Sequence, residues 1–358
     1  MKRELLWTAA TVLALAVPGG LAAEADSVVL TGWGIDGKDP EGFIAAARAV
    51  GFDALITGSN DPAVLARYVA AGAQHQVGIY SCISPMGGLA KLWAARHPDR
   101  PMPWQVMTAD EEAALTFITA GRNRYIIPWQ WGGEPVMTNE VLANRIVCLS
   151  SVEARELFEP VIDTIAAVPG LAGLAFDGFG YQNYRRCHCE RCEGLLAVYA
   201  AAHPELPAEQ AEVAFFRDLL VEYLNYLADY ARSRRADIKT AIHIWPAFAP
   251  DPLYGNRLDV DYCGQTAAWY MLWPEEKIAQ YSRTIVQDAQ RYHERQQGVG
   301  MIGYYDRPGD FPVKDAARVD LELRTMIENG VRHIQVCSSL DVVRNEAIAE
   351  VFRRYCGP

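Results

Sequence analysis

Cysteine is scarce in this chain, 8 among 358 residues, far below the density of a disulfide scaffold, so the fold has to rest on an apolar core. Basic residues are outnumbered. Against 44 Asp and Glu stand 33 Lys and Arg, a formal net charge of -11, and after the first three residues no basic run is longer than a pair such as Arg234-Arg235. A chain of that sign repels phosphate backbones, which argues against nucleic acid as a partner. No segment after the amino terminus is long and apolar enough to span a bilayer. There is no G-x-x-x-x-G-K-[ST] loop, no H-E-x-x-H helix and no G-x-S-x-G elbow, so no motif calls for an organic cofactor. Repeats, low-complexity stretches and Ser/Gly/Pro linkers are missing as well. What remains is 51% hydrophobic, enough to bury a large core, and disorder as the main state is excluded.

The amino terminus has its own pattern. Lys2 and Arg3 precede an apolar run from Leu5 to Val17, followed by Pro18, two glycines and Ala23-Glu24-Ala25, which fits a small-residue cleavage site. The run, about 13 residues, is short of the roughly 20 a membrane anchor needs. No Cys precedes Cys82, so a lipid-bearing Cys at the cleavage point is excluded. Residues 1–25 are therefore expected to be a signal peptide, and 26–358 a secreted or periplasmic domain with no membrane attachment.

From Asp26 onward, strand-like apolar runs alternate with segments of helical periodicity. The runs are Val28 to Trp33, Ala54 to Ser59, Val77 to Ser84, Leu171 to Asp177, Thr240 to Trp245, Val260 to Trp269, Val299 to Asp306 and Val331 to Ser338. Helices are expected at Pro40 to Val50, Pro62 to Gln74, Ser151 to Val168, Ala208 to Arg235, Pro274 to His293, Val313 to Asn329 and Asn345 to Tyr355. Such alternation predicts an α/β fold, a (β/α)8 TIM barrel. A doubly wound open sheet is the alternative, but the first run leads into Gly34-Ile35-Asp36-Gly37 instead of a G-x-G-x-x-G turn. Parity along the runs puts Ala175, Asp177, Ala241, His243 and Trp245 inward, with Leu174, Phe176, Ile242 and Ile244 toward the helices. One irregular stretch, residues 85–150 after the third strand, is rich in Trp, Pro and Gly and reads as an insertion lining the catalytic face.

The sharpest local motif is Cys187-His188-Cys189-Glu190-Arg191-Cys192, with Cys148 standing 39 positions upstream of the first of these thiols. Three close thiols and one distant partner suit a structural zinc, with Cys148, Cys187, Cys189 and Cys192 as ligands. Disulfides, or inert thiols, are the alternatives. Taken with the run Cys148-Leu-Ser-Ser-Val-Glu-Ala-Arg and the strand end Leu174-Ala-Phe-Asp-Gly-Phe, this arrangement resembles the zinc site of glycoside hydrolase family 42 β-galactosidases and, more broadly, secreted glycoside-hydrolase-like barrels. The resemblance is clearest over residues 145 to 195. It implies a (β/α)8 barrel, a carbohydrate substrate and a structural zinc. Where that family closes strand four with an Asn-Glu pair carrying the general acid, this chain has Asp177 followed by Gly178 and Phe179. Where that family has a Glu nucleophile on strand seven, the nearby carboxylate here is Asp306.

Carboxylates at the carboxyl ends of barrel strands are where such folds place their chemistry, and glycoside hydrolysis needs two of them across the scissile bond. Asp177 ends an apolar strand, points inward by parity and is followed by a glycine. Asp306 ends the seventh strand, although parity leaves open whether it or Tyr305 faces in. These two are the expected catalytic pair. Aromatic rings that could stack on the apolar faces of sugars fall at strand ends (Trp33, Trp245, Trp269, Tyr304 and Tyr305) and on the long loop (Trp129 and Trp131), and polar partners for hydroxyls are offered by Tyr181, Asn183 and His243. The chain thus reads as a glycosidase of an extracellular poly- or oligosaccharide, with a barrel that binds glycans without cleaving them as the rival.

Overall fold

Two helices begin at Asp-Pro pairs, for a local reason. Asp39 accepts a hydrogen bond from Gly42 N ahead of the helix Pro40–Val50, and Asp61 accepts from Ala63 N and Val64 N ahead of Pro62–His75. The carboxylate satisfies amides that have no partner inside the helix, and proline in the first turn gives up an N–H that would have gone unpaired anyway. The first helix stops at Gly51, whose φ of 111° and whose closeness to the Cys356 carbonyl leave no room for a side chain.

In the computed structural model, which describes residues 27–85, 89–111, 145–183, 185–244, 257–268, 272–306 and 313–357 together with the backbone of 125–127 and 136–138, such helices surround a closed parallel barrel. Its strands are β1 (Val29–Trp33), β2 (Ala54–Thr57), β3 (Gly78–Ile83), β6 (Gly173–Phe176), β7 (Lys239–Ile244), β8 (Tyr262–Ala268), β9 (Gln297–Gly303) and β10 (His333–Cys337). They pair in that order around the ring, and β10 closes onto β1 with Val29 opposite His333 and Trp33 opposite Cys337. Two short strands outside the barrel, β4 (Tyr125–Ile127) and β5 (Val136–Thr138), pair antiparallel. The eight runs expected from sequence are these eight barrel strands, and the (β/α)8 architecture holds.

Strand alternation sorts side chains as the periodicity requires. Phe176 meets Phe179, which packs on Phe158 and on Tyr223 of the helix Ala208–Arg234, so this face belongs to the layer between sheet and helices. Leu174, Ile242, Ile302 and Ile334 are likewise buried. The other face meets across the lumen: Tyr80 of β3 packs edge-on against Tyr262 of β8, a strand that is not its neighbour, and Tyr262 against His333. The expected helix Ser151 to Val168 is in fact two, Val152–Glu156 and Glu159–Ala166. Pro160 lacks the N–H that would bond the Glu156 carbonyl, and its ring crowds that carbonyl, so the helix restarts.

Between β3 and β6 the described chain forms a helix, Leu89–Arg96, and later an antiparallel bridge in which Gln105 N donates to Ile146 O and Cys148 N to Pro103 O. No helix among the described residues is long and apolar enough to cross a membrane. Residues 1–26 lie outside the described residues.

Candidate functional site

Two constellations follow β6, one at the barrel mouth and one on the loop beyond it. The loop constellation is the cysteine cluster. Cys189 caps the helix Glu190–Ala202, its sulfur accepting from Cys192 N at 3.4 Å, which turns both thiols to one side. Cys187 Sγ accepts from Val106 N at 3.3 Å, and the bridge to Pro103 delivers Cys148 from the other direction. Cys148 Sγ lies 3.7 Å from Cys189 Sγ and 3.6 Å from Cys192 Sγ, and all four sulfurs lie within 4.8 Å of one another. A disulfide would need about 2.05 Å, and at the distances here none of these cysteines is bonded to another. A metal about 2.3 Å from each of four tetrahedral sulfurs sets them about 3.8 Å apart, close to the spacing here. The cluster is therefore able to hold a metal ion.

Within the cluster the thiols are coupled to one another through hydrogen bonds. Hydrogen bonding with Cys187 above all, and with Cys192, lowers Cys148 to about 7. Cys189 is lowered too, chiefly by Cys148, while Cys187 and Cys192 are raised, each chiefly by its hydrogen bond with Cys148. His188 turns away, toward Glu111 and Glu193 at 3.4 Å each.

Around the cluster the chain is tied by residues that no motif marks. Buried Gln105 donates to Gly180 O (2.8 Å) and Val147 O (3.3 Å) and accepts from Gln182 N (2.8 Å), fastening the bridge to the loop after β6. Asn183 accepts from Arg185 N and Arg186 N and donates to Glu111. Tyr181 is buried and donates its hydroxyl to Phe216 O. Both were expected to meet sugar hydroxyls. They are placed instead in the framework that carries the loop to Cys187.

At the barrel mouth, Asp177 N donates to Ile83 O and Gly178 turns the backbone with a φ of 72°. The Asp177 carboxylate remains 29% exposed and pairs at 3.1 Å with Nδ1 of His243, whose side chain is 4% exposed. The two inward positions expected from parity thus form one unit. Trp33 backs it, its ring centroid 5.7 Å from that of His243 and its Nε1 donating to Gln335 Oε1 at 3.3 Å. Cys82 belongs to the same corner: burial pushes its thiol well up, and the nearby Asp177 and Cys337 add to the effect. Tyr305 places its hydroxyl 3.4 Å from Cys337 Sγ.

That contact shows which way the chain turns just past β9, which ends at Gly303 before either Tyr305 or Asp306. Tyr305 faces the barrel end, and Asp306 is exposed with its carboxylate 3.5 Å from Asn345 Nδ2. Tyr304 is buried and accepts from the same Asn345, and burial first, then Asp306, pushes its hydroxyl up to about 12. No contact among those described brings Asp306 to Asp177. Trp129, Trp131, Trp245 and Trp269 lie outside the described residues. Gln335 went unnoticed in the sequence, although the alternation His333-Ile334-Gln335-Val336-Cys337 marks its polar side chain as lumen-facing.

No family model and no curated protein matches this chain. Solved structures do resemble it. The glycoside hydrolase domain of PgaB (BpsB) from Bordetella bronchiseptica aligns over 92% of this chain and 98% of its own, with 12% identity and a TM-score of 0.52. A β-galactosidase from Bacillus circulans sp. alkalophilus aligns over 92% of this chain and 56% of its own, with 11% identity and a TM-score of 0.59. An endo-β-1,4-mannanase from Thermotoga petrophila aligns over 92% and 76%, with 10% identity and a TM-score of 0.51. At these identities the likeness is one of fold, and the fold they share with this chain is a barrel that is found among glycoside hydrolases.

Proposed function

We propose that this chain is a secreted or periplasmic, single-domain glycoside hydrolase that cleaves O-glycosidic bonds of a poly- or oligosaccharide, with Asp177 as its working carboxylate; Asp306, expected as the second, is set outward on Asn345 and is not assigned that role. One observation carries the reading: a partly exposed carboxylate at a strand end, oriented by a buried histidine that is itself backed by an aromatic ring. Carbohydrate cleavage needs a carboxylate held at a fixed angle to the anomeric carbon. His243 supplies that by fixing Oδ1, and Trp33, anchored on Gln335, keeps His243 from swinging. The three similar structures are named as glycoside hydrolases, a mannanase or a galactosidase, which supports the substrate class. We further propose that Cys148, Cys187, Cys189 and Cys192 hold a structural zinc, which would fasten the loop after β6 and leave Asp177 on a rigid base.

Replacing Asp177 by Asn should lower glycan hydrolysis by about 10² to 10⁴-fold while glycan binding persists. Activity retained in this variant would overturn the assignment. A second reading, a barrel that binds glycans without cleaving them, is favoured by the outward setting of Asp306. In that case the unaltered protein binds polysaccharides and releases no reducing ends from any of them.

A further inference from the structure

Beside Asp177 the fold leaves a side pocket of about 660 Å³, a size suited to a small ligand. It runs outward from the ends of β2, β3 and β6 between the helices Leu89–Arg96 and Glu159–Ala166. Ile83, Leu89, Leu92, Phe158, Pro160 and Val161 supply half of the residues that line it. The polar lining is largely committed: the Thr164 hydroxyl donates to Pro160 O at 2.7 Å, and Asn60 Oδ1 accepts from Ser81 Oγ at 2.9 Å. Asp177 is the one charged residue among those that line it.

Two further observations bear on an occupant. Leu92, on the wall, is 38% exposed, an apolar side chain left facing water. Gly58 also lines the pocket, at an exposed position where a Cβ meets nothing within 4 Å, so a side chain can be added at this edge without a clash. A sugar ring alone would leave these walls wet, whereas an apolar group would release that water.

We infer that the pocket receives an apolar group carried by the glycoside, an alkyl or aryl aglycone or an acyl substituent, seated next to the bond on which Asp177 acts. This rests on the hydrolase reading of Asp177 and narrows it: the substrate is a substituted glycoside, and Gly58 and Leu92 set the preference.

The probes are n-alkyl β-D-glucopyranosides from methyl to octyl, below their micellar concentrations, with a 6-O-hexanoyl glucose of matched apolar size. Binding is measured by titration calorimetry on the full chain and on Asp177→Asn. Affinity is expected to rise about fourfold per methylene until the pocket is full. A rise with the alkyl series alone assigns the pocket to an aglycone, and a rise with the hexanoyl sugar alone assigns it to an acyl group. Gly58→Trp adds a large ring at this lining position, where a Cβ meets no neighbour, and should weaken or erase the dependence on chain length. Leu92→Lys, at an already exposed position, should weaken it as well. Chain length without effect, or the same effect in both variants, overturns the inference. The two proposals fail separately. If chain-length-dependent binding is present but no glycoside is hydrolysed, the pocket stands and the hydrolase reading falls. If Asp177→Asn abolishes a real hydrolysis that never depended on chain length, the pocket reading falls.

Discussion

Replacing His333 by Gln takes a titrating group out of the barrel lumen and should flatten the acid limb of the stability profile. The His333 ring is 6% exposed, its Nε2 lies 2.8 Å from the Thr31 hydroxyl, and the ring packs edge-on against Tyr262 at 4.9 Å. Burial alone lowers its pKa from 6.5 to about 4, because a charged imidazole there would lose its hydration. The unfolded chain takes up a proton near 6.5, while the folded barrel refuses it until about 4. Between those values the unfolded state binds more protons, so stability is complete above 6.5 and drains away as the pH falls to about 4. Each pH unit within the window is worth about 1.4 kcal/mol, and the whole window about 3 kcal/mol. Gln can still bond Thr31 and does not titrate. Lost packing on Tyr262 costs the variant the same at every pH, so it shifts the offset and leaves the slope untouched. Urea unfolding of both proteins at several pH values from 7.5 to 4.5 measures the difference, in which the carboxylates common to both cancel. The two profiles should converge below pH 6.5 by about 1.4 kcal/mol per unit. Parallel profiles would refute a neutral, buried His333.

Glu322, fully buried between Lys314 Nζ at 2.7 Å and Arg318 Nε at 2.6 Å, should be the costliest member of its network to neutralise. Glu322→Gln strands two cations and should cost about 3–5 kcal/mol in urea unfolding, whereas Lys314→Met leaves Glu322 paired with Arg318 and should cost less. Metal analysis of the purified chain should find one zinc per molecule. Cys189→Ser should lose it, and stripping the metal should lower the Tm by on the order of 10 °C; full zinc retention in the variant would count against the four-thiolate site. Gln335→Leu removes the acceptor of the buried Trp33 Nε1 and should cost about 1–3 kcal/mol. If Trp33 steadies His243, kcat should fall in that variant with little change in KM, and Gln335→Glu, which keeps an acceptor, should restore it.

The barrel was legible because its information is periodic. Each strand has to satisfy two environments at once, which writes an alternation such as Leu174-Ala175-Phe176-Asp177 into the chain, and each helix has to present one apolar stripe to the sheet. Helix ends were legible to within a few residues where a proline coincided with the start, as at Pro40 and Pro62. The pattern failed where a chemical rule broke it. Apolar periodicity runs straight through Leu157 and Phe158, and only the missing N–H of Pro160 divides the segment into two helices. The helix Glu190–Ala202 has the opposite problem: Cys192 is its one buried residue, so it carries no stripe to read, and its place is set by the cysteine cluster at its start.

The site divides along the same line. Cys187, Cys189 and Cys192 were readable because their partners lie within six residues, and Asp177 because a strand end next to a glycine is a local feature. What made Asp177 more than a strand-end acid lies 66 positions away in His243, and what steadies His243 reaches it from Trp33 and Gln335, which are 302 positions apart. Closure of the barrel brings these residues together, since β1 and β10 are the first and last strands and yet neighbours. A residue's candidacy can be read from its own strand, but its orientation is contributed by the strand that pairs beside it. Asp306 shows the converse. In sequence it ends an apolar run as Asp177 does, but β9 itself stops at Gly303, and beyond it the neighbouring strand end offers Cys337 to Tyr305, while Asn345 draws Tyr304 and Asp306 to the other side. The contacts that the chain meets just past β9, with Cys337 for Tyr305 and Asn345 for Asp306, therefore decide which side chain reaches the mouth, and a carboxylate one position earlier would stand where Tyr305 does.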